Sequence, residues 1–335
     1  MKLLRYIFFP VVPIYFCITW LRNKLFDLGI LKSTSYRFPV ICVGNLSVGG
    51  TGKTPMIEYL IRLLKDDTQV ATLSRGYKRK SEGFQIGKEG VTADILGDEP
   101  FQFYSKYKNQ ITVAVDADRR EGIAQLMALQ LKPDVVLLDD AYQHRKVQAG
   151  FNILLTTYSN LYTSDIVLPT GNLREPKSGA SRANVIVVTK CPNSISESEK
   201  ADIITAIAPK TEQHVFFSTI KYADYVVSKT KQMDLQDVPR FTLVTGIANP
   251  TPLVDYLKGK DMVFDHLNFK DHHDFTADEL ETFKQKTCIL TTEKDFMRLN
   301  QFEYLDDKVF YLSIEAVIDR AADFDKLVKS YVASY

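Results

Sequence analysis

Val43-Gly44-Asn45-Leu46-Ser47-Val48-Gly49-Gly50-Thr51-Gly52-Lys53-Thr54-Pro55 sets the reading of this chain. From Ser47 onward the spacing is that of a phosphate-binding P-loop, G-x-x-x-x-G-K-[ST], with Ser47 in the first glycine position. Glycines let the backbone turn tightly and present amide N–H groups to phosphate oxygens. Val48, Gly49, Gly50, Thr51 and Gly52 supply that cradle. Lys53 is placed to reach the β- and γ-phosphates of a nucleotide, and the Thr54 hydroxyl to ligate Mg²⁺. An apolar strand expected over 38–43 runs into the loop. Ile57, Leu60, Ile61 and Leu64 then give 55–64 one apolar helical face. The dipole of that helix would face the phosphates. Pro55 suits its first turn, where a missing N–H costs nothing.

The partner carboxylate lies downstream. Val135-Val136-Leu137-Leu138 is a run of apolar residues that fits a strand covered on both faces. Asp139 and Asp140 end it, the layout in which a carboxylate at a strand terminus holds Mg²⁺ or its water. Further β-branched runs predict strands at 69–74, 111–115, 151–155 and 185–188, with helices between. The alternation predicts a P-loop NTPase-like α/β fold, a mostly parallel sheet flanked by helices. Near residue 215 the rhythm changes, and 214–220 and 222–227 read as two extended segments. A second, smaller α/β domain is expected after them, with strands at 241–245, 262–264, 287–290 and 309–312 and a last helix over 321–332. The expected organisation is a membrane-associated segment at 1–30, a P-loop domain at 31–215, a two-stranded β connector at 216–238 and a C-terminal α/β domain at 239–335.

Lys and Arg number 42 against 41 Asp and Glu in 335 residues, a net charge of +1. No global bias calls for nucleic acid, and nothing calls for an obligate protein partner. Cys17, Cys42, Cys191 and Cys288 lack metal-ligand or redox spacing and read as buried, reduced thiols. The N-terminus is unlike that of an ordinary soluble protein. Residues Tyr6 to Leu21 carry no charge, Lys2 and Arg5 precede them, and Arg22 and Lys24 follow. The run is shorter than the roughly 20 residues of a spanning helix, and Pro10 and Pro13 interrupt it. Tyr6, Tyr15 and Trp20 suit a headgroup region. The expectation is a monotopic helix lying on the membrane surface, with a buried N-terminal helix and a true span as the alternatives.

Three classes of P-loop protein compete. A GTPase carries N/T-K-x-D after a late strand; here Thr189-Lys190-Cys191-Pro192 lacks the Asp that reads guanine. A partition-type ATPase switch has a Lys early in its loop, where this chain has Val48. Both absences favour a small-molecule or lipid kinase. Arg75 and Arg119 follow expected strands, at the ends where α/β proteins bind ligands, Arg174 lies in a Gly/Pro-bounded loop, and guanidinium forks suit phosphates. They are the candidate substrate-binding residues.

Beyond the loop, several motifs occur in order. They are Ser74-Arg75-Gly76-Tyr77, Gly97-Asp98-Glu99-Pro100, Asp139-Asp140-Ala141-Tyr142-Gln143-His144-Arg145, Leu173-Arg174-Glu175-Pro176, Asp271-His272 and Thr292-Glu293-Lys294-Asp295. With the loop they resemble the tetraacyldisaccharide 4'-kinase (lipid A 4'-kinase) family, over about 38–298. The resemblance implies transfer of the ATP γ-phosphate to the 4'-hydroxyl of a tetraacylated disaccharide 1-phosphate. It places that reaction at the cytoplasmic face of a bacterial inner membrane. It implies a catalytic set of Asp98, His272 and Lys53, with Asp98 as base and His272 from the second domain orienting it. It also implies a metal set of Thr54, Asp139, Asp140 and Glu99. On spacing alone Asp98 reads first as a helix N-cap, and it is the resemblance that makes it the base.

Overall fold

A computed structural model describes residues 7–335, so Lys2, Arg5 and Tyr6 of the N-terminal run lie outside the described residues. Helix α1 (Val12–Asp27) precedes β1 (Val40–Asn45), the loop and α2 (Lys53–Leu64). Next come β2 (Val70–Ser74), β3 (Gln85–Ile86), α3 (Asp98–Tyr107), β4 (Thr112–Val115), α4 (Arg119–Met127) and β5 (Val135–Asp139). β6 (Phe151–Thr157), β7 (Val185–Thr189) and α5 (Glu197–Ile207) lead to β8 (His214–Val227). They are followed by β9 (Gln232–Asp234), β10 (Phe241–Thr245), α6 (Thr251–Gly259), β11 (Phe264–Asn268) and α7 (Ala277–Lys284). β12 (Ile289–Thr292), α8 (Glu293–Leu299), β13 (Val309–Ile318) and α9 (Ala321–Val332) complete the order.

These strands form one sheet in the order β11-β10-β12-β13-β8-β7-β6-β1-β5-β2-β4-β3, with β9 on β8. Pairing is antiparallel only at β3–β4, β8–β9 and β8–β13. β1 lies between β5 and β6, with Val43 opposite Asp139 and Ile153. The apolar run of β5 divides by side: Val136 and Leu138 enter one core cluster, Val135 and Leu137 the other. That is the period-2 alternation of a strand with helices on both faces. Met56, Ile57, Leu60, Ile61 and Leu64 bury the inner face of α2, at about 1.5–3 kcal/mol each.

The two extended segments expected near 215 are one strand. β8 pairs in parallel with β7 through Phe217, then antiparallel with β13 from Ser218 to Val227. The ribbon between the halves of the sheet is therefore β8 with β13, strands far apart in the chain. β13 carries the chain back, so the last helix does not pack where a 239–335 unit would place it. Phe324 and Val328 of α9 are buried with Ile41, Val43 and Ile57. Tyr331 Oη also accepts from Val40 N at 3.1 Å. Hydrophobic periodicity gives a helix its buried face, not its distant partner.

Three helices meet in a buried ion cluster. Lys106 of α3 contacts Glu58 of α2 at 2.6 Å and Glu293 of α8 at 2.9 Å. Gln102 Nε2 donates to Glu58 at 2.9 Å, and Ser313 Oγ to Glu293 at 3.1 Å. One ammonium serves two carboxylates. Burial, then the charge of Glu293, pushes Glu58 up to about 7. Burial opposes the charge on Lys106, but both carboxylates outweigh it and raise its pKa.

α1 is inverted relative to an ordinary surface helix. Its buried residue is polar: Asn23 donates to Glu175 Oε2 at 2.6 Å. Tyr15 Oη donates to the Arg174 carbonyl at 2.9 Å, and Arg145 pairs with Asp27 at 2.8 Å. Val12 and Tyr15 pack inward, but Ile14 and Ile18 are both 61% exposed, with Phe16, Trp20 and Leu21 exposed beside them. Cys17 is on this helix and is exposed, unlike the other three cysteines. Among the described residues no helix is long and apolar enough to cross a membrane.

Candidate active site

The P-loop is tethered from outside. Gly52 takes φ +86°, a left-handed conformation open to glycine, and opens α2. Thr189 Oγ1 donates to the Thr51 carbonyl at 2.8 Å, and Lys190 Nζ to the Gly50 carbonyl at 2.6 Å. Val48 N donates to the Asn172 carbonyl at 2.8 Å, and Asn45 Nδ2 to Thr51 Oγ1 at 2.8 Å. Holding the Gly50 and Thr51 carbonyls outward leaves loop amides other than those of Val48 and Thr51, which already donate to carbonyls, for an anion.

Lys53 Nζ lies 3.5 Å from Asp140 Oδ1. Arg174 Nη1 donates to both oxygens of Asp140, at 3.1 and 3.2 Å. Burial pushes the Asp140 pKa up, yet Lys53 and Arg174 together bring it below the usual range. Asp139 differs from its neighbour. It is 2% exposed, its Oδ1 has no partner, and burial followed by the charge of Glu99 pushes it up to about 7. A buried carboxylate oxygen without a partner is costly, and Glu99 near Asp139 adds to the cost.

Asp98 is the first residue of α3, and Gly97, not Asp98, is the N-cap. Gly97 has φ +90°, and a Cβ there would meet the Tyr77 carbonyl at 2.9 Å. The Gly97-Asp98 step is therefore held to glycine by both conformation and space. Arg298 Nε of α8 donates to Asp98 Oδ2 at 2.9 Å. His272 Nδ1 faces the same oxygen at 3.6 Å, outside hydrogen-bond distance. His272 has φ +56° and packs edge-on against Tyr77 at 5.7 Å between ring centroids. Burial raises the Asp98 pKa, but His272 and Arg298 outweigh it and bring it down. His273 turns away and meets Glu279 at 2.8 Å.

The three arginines part ways. Arg174 is bound to Asp140, beside the P-loop lysine. Arg75 is exposed. Arg119 is 2% exposed and donates to the carbonyls of Asp116, Ala117 and Asp139, at 2.9, 3.4 and 3.4 Å. It ties β4 to β5 beneath the site, so its guanidinium is engaged with backbone rather than presented to a phosphate. Gln143 Nε2 donates to the Asn45 carbonyl at 2.8 Å and to Glu175 at 3.0 Å. A cavity of about 610 Å³ lies at the opposite strand ends, lined by Arg37, Leu64, Met127, Lys132 and Lys329, and holds none of these groups.

Sequence reasoning missed Arg298, Lys190 and the role of Lys294. Lys294 stood inside the quoted Thr292-Glu293-Lys294-Asp295 string, whose members now separate. Thr292 caps α8, Glu293 meets Lys106, Lys294 Nζ is 2.9 Å from His272 Nε2, and Asp295 accepts from Gly246 N at 2.9 Å. Arg298 lies one helical turn beyond Lys294, and no local pattern marks it.

The sheet order and the tethered loop define a P-loop α/β protein whose sheet continues through β8 and β13 into a second lobe. The family model described as tetraacyldisaccharide-1-P 4'-kinase matches residues 4–333, and the chain belongs to that family. A relative from Flavobacterium johnsoniae, named tetraacyldisaccharide 4'-kinase, is 51% identical and aligns over 99% of this chain and 98% of its own. One of the same name from Flavobacterium psychrophilum is 49% identical over 100% and 98%. The crystal structure of LpxK from Aquifex aeolicus in complex with ATP superposes with a TM-score of 0.78 at 32% identity. It covers 98% of this chain and 99% of that one.

Proposed function

We propose that this chain transfers the γ-phosphoryl group of ATP to the 4'-hydroxyl of a tetraacylated disaccharide 1-phosphate in lipid A biosynthesis. The observation that carries the reading is the contact with His272 of Asp98, which is next in sequence to Glu99, whose charge acts on Asp139 at the end of β5. A kinase acting on a hydroxyl needs a carboxylate there, and a nucleotide switch does not. Asp98 takes the hydroxyl proton as the acceptor oxygen bonds to the γ-phosphorus. The bond to the β–γ bridging oxygen breaks and ADP leaves. Lys53 and the loop amides hold the β- and γ-phosphates, and His272 orients Asp98. Arg174 and Arg75 are the groups for the phosphates of donor and acceptor.

Mg²⁺ fits the end of β5, where Asp139 keeps an unpartnered buried oxygen. Thr54, Asp139 and Glu99 would hold it, while Asp140 is already paired with Lys53 and Arg174. Among the described residues no three His, Cys, Asp or Glu side chains form a metal site alone. A P-loop ion needs none, because phosphates and waters complete its shell. When bound, it would neutralise charge on the transferring phosphate.

The outward apolar face of α1 supports attachment to the cytoplasmic face of the inner membrane, where the acyl chains of the acceptor reside. Purified protein given labelled ATP and a tetraacyldisaccharide 1-phosphate should yield the 4'-phosphorylated lipid. ATP hydrolysis stimulated by a protein partner, with no lipid labelled, would replace this reading by an ATPase switch.

A further inference from the structure

Helix α8 presents two cations to the acid–histidine contact from positions one turn apart. Arg298 takes Asp98. Lys294 takes the far side of the imidazole, with Nζ 2.9 Å from His272 Nε2 and 3.5 Å from Glu99 Oε1. An ammonium group has three hydrogens and no lone pair, so it can only donate. Nε2 must therefore accept, which puts the proton of a neutral ring on Nδ1. Nδ1 is buried without a partner, and Asp98 Oδ2, an acceptor when ionised, is 3.6 Å away. The opposite tautomer would set two donors against each other at Nε2 and turn a lone pair toward a carboxylate. A doubly protonated ring would oppose two cations.

We infer that Lys294 is a positioning residue that fixes His272 as the Nδ1–H tautomer, so that the imidazole turns its N–H toward Asp98 and cannot take its proton. Both contacts of Asp98 then converge on Oδ2, and Oδ1 is the oxygen left to receive the acceptor's proton. Lys294 acts through His272, in the manner of the outer partners that set the tautomer of metal-bound histidines. The catalytic consequence rests on the reading of Asp98 and His272 given above; the tautomer itself does not.

The test is NMR of the full chain in detergent with isotope-labelled histidine. The chain has five histidines, and His272→Gln identifies the signal. The wild-type spectrum should show a protonated Nδ1 and an unprotonated Nε2 at His272. Lys294→Met should move the proton to Nε2 or mix the tautomers, and Lys294→Arg should restore the first pattern. Turnover of Lys294→Met should fall about 10-fold or more, with the KM for ATP and the divalent-cation dependence unchanged. A wild-type proton on Nε2, or a pattern indifferent to Lys294→Met, overturns the inference without recourse to activity. A changed cation dependence with an unmoved tautomer also overturns it and assigns Lys294 to Glu99. A moved tautomer with unchanged turnover upholds the assignment of Lys294 and overturns the acid–histidine reading instead.

Discussion

Arg298 Nε donates to Asp98 Oδ2 at 2.9 Å, joining α8 of one lobe to the first residue of α3 in the other. The guanidinium is anchored at its own end as well. Its Nη1 donates to the His273 carbonyl at 3.1 Å and contacts Asp295 at 3.3 Å. Three acceptors in fixed directions require a planar fork, which Lys lacks. Arg298→Lys and Arg298→Met should therefore behave alike. Both are expected to lower kcat about 10-fold or more and to leave the KM for ATP near wild type. Steady-state kinetics with both substrates varied checks this, and near-wild-type turnover in Arg298→Lys would remove the fork from the argument.

Asp98→Ala should lower turnover by about 100-fold or more, the range of a general base. The P-loop tethers do not involve Asp98, so ATP-analogue affinity should be retained. An unchanged rate would exclude Asp98 as the proton acceptor.

Thr189 Oγ1 serves the carbonyls of Thr51 and Thr156, at 2.8 and 3.2 Å. Its one hydrogen favours the nearer carbonyl, that of Thr51, which Thr189→Val leaves without that donor at a cost of about 1–3 kcal/mol. Because Thr51 belongs to the loop, nucleotide affinity should weaken about 10-fold. Thr189→Ser keeps the hydroxyl and should keep the affinity. Calorimetric titration with a non-hydrolysable ATP analogue separates the two.

Ile14 and Ile18 lie one turn apart on the outward side of α1. At about 1.5–3 kcal/mol for each apolar side chain transferred, Ile14→Asp with Ile18→Asp should weaken vesicle binding on the order of 100-fold. Flotation with anionic phospholipid vesicles measures this, and ATP-analogue binding serves as the control for folding. Undiminished flotation would assign membrane attachment to another surface.

The buried cluster at Glu58 gives stability an unusual slope with pH. An unfolded Glu loses its proton near pH 4.3, whereas Glu58 in the fold holds it to about 7. Between those values the folded state binds more protons than the unfolded one, so the Glu58 contribution falls as pH rises. Glu58→Gln cannot ionise. Its Tm relative to wild type should climb between about pH 5 and pH 8, and a difference flat in pH would refute the account.

Much of the first lobe was legible because its signals are local. An apolar strand, a glycine turn and an amphipathic helix lie within about 25 consecutive residues. Asp139 and Asp140 stood out because four apolar residues lead directly into them. The strand expected at 262–264 lies instead at Phe264–Asn268, where its side chains are half-exposed and an apolar run is a poor guide. Arg119 had the residue type and position expected of a phosphate ligand, and only its burial against three carbonyls revealed its task.

The sequence by itself determined the loop, the carboxylates at the end of β5, the parallel sheet around them and, through its motifs, the family. Each depends on residues close together in the chain or on patterns of period 2 or 3.6. Tertiary structure alone decided that β13 returns along β8 and delivers α9 to the first lobe. It also set Arg298 and His272 against Asp98, and Lys294 against His272. These contacts join residues up to 200 positions apart. Their geometry follows from packing two sheet halves through a shared ribbon, a global constraint that leaves no periodic trace in any window of sequence.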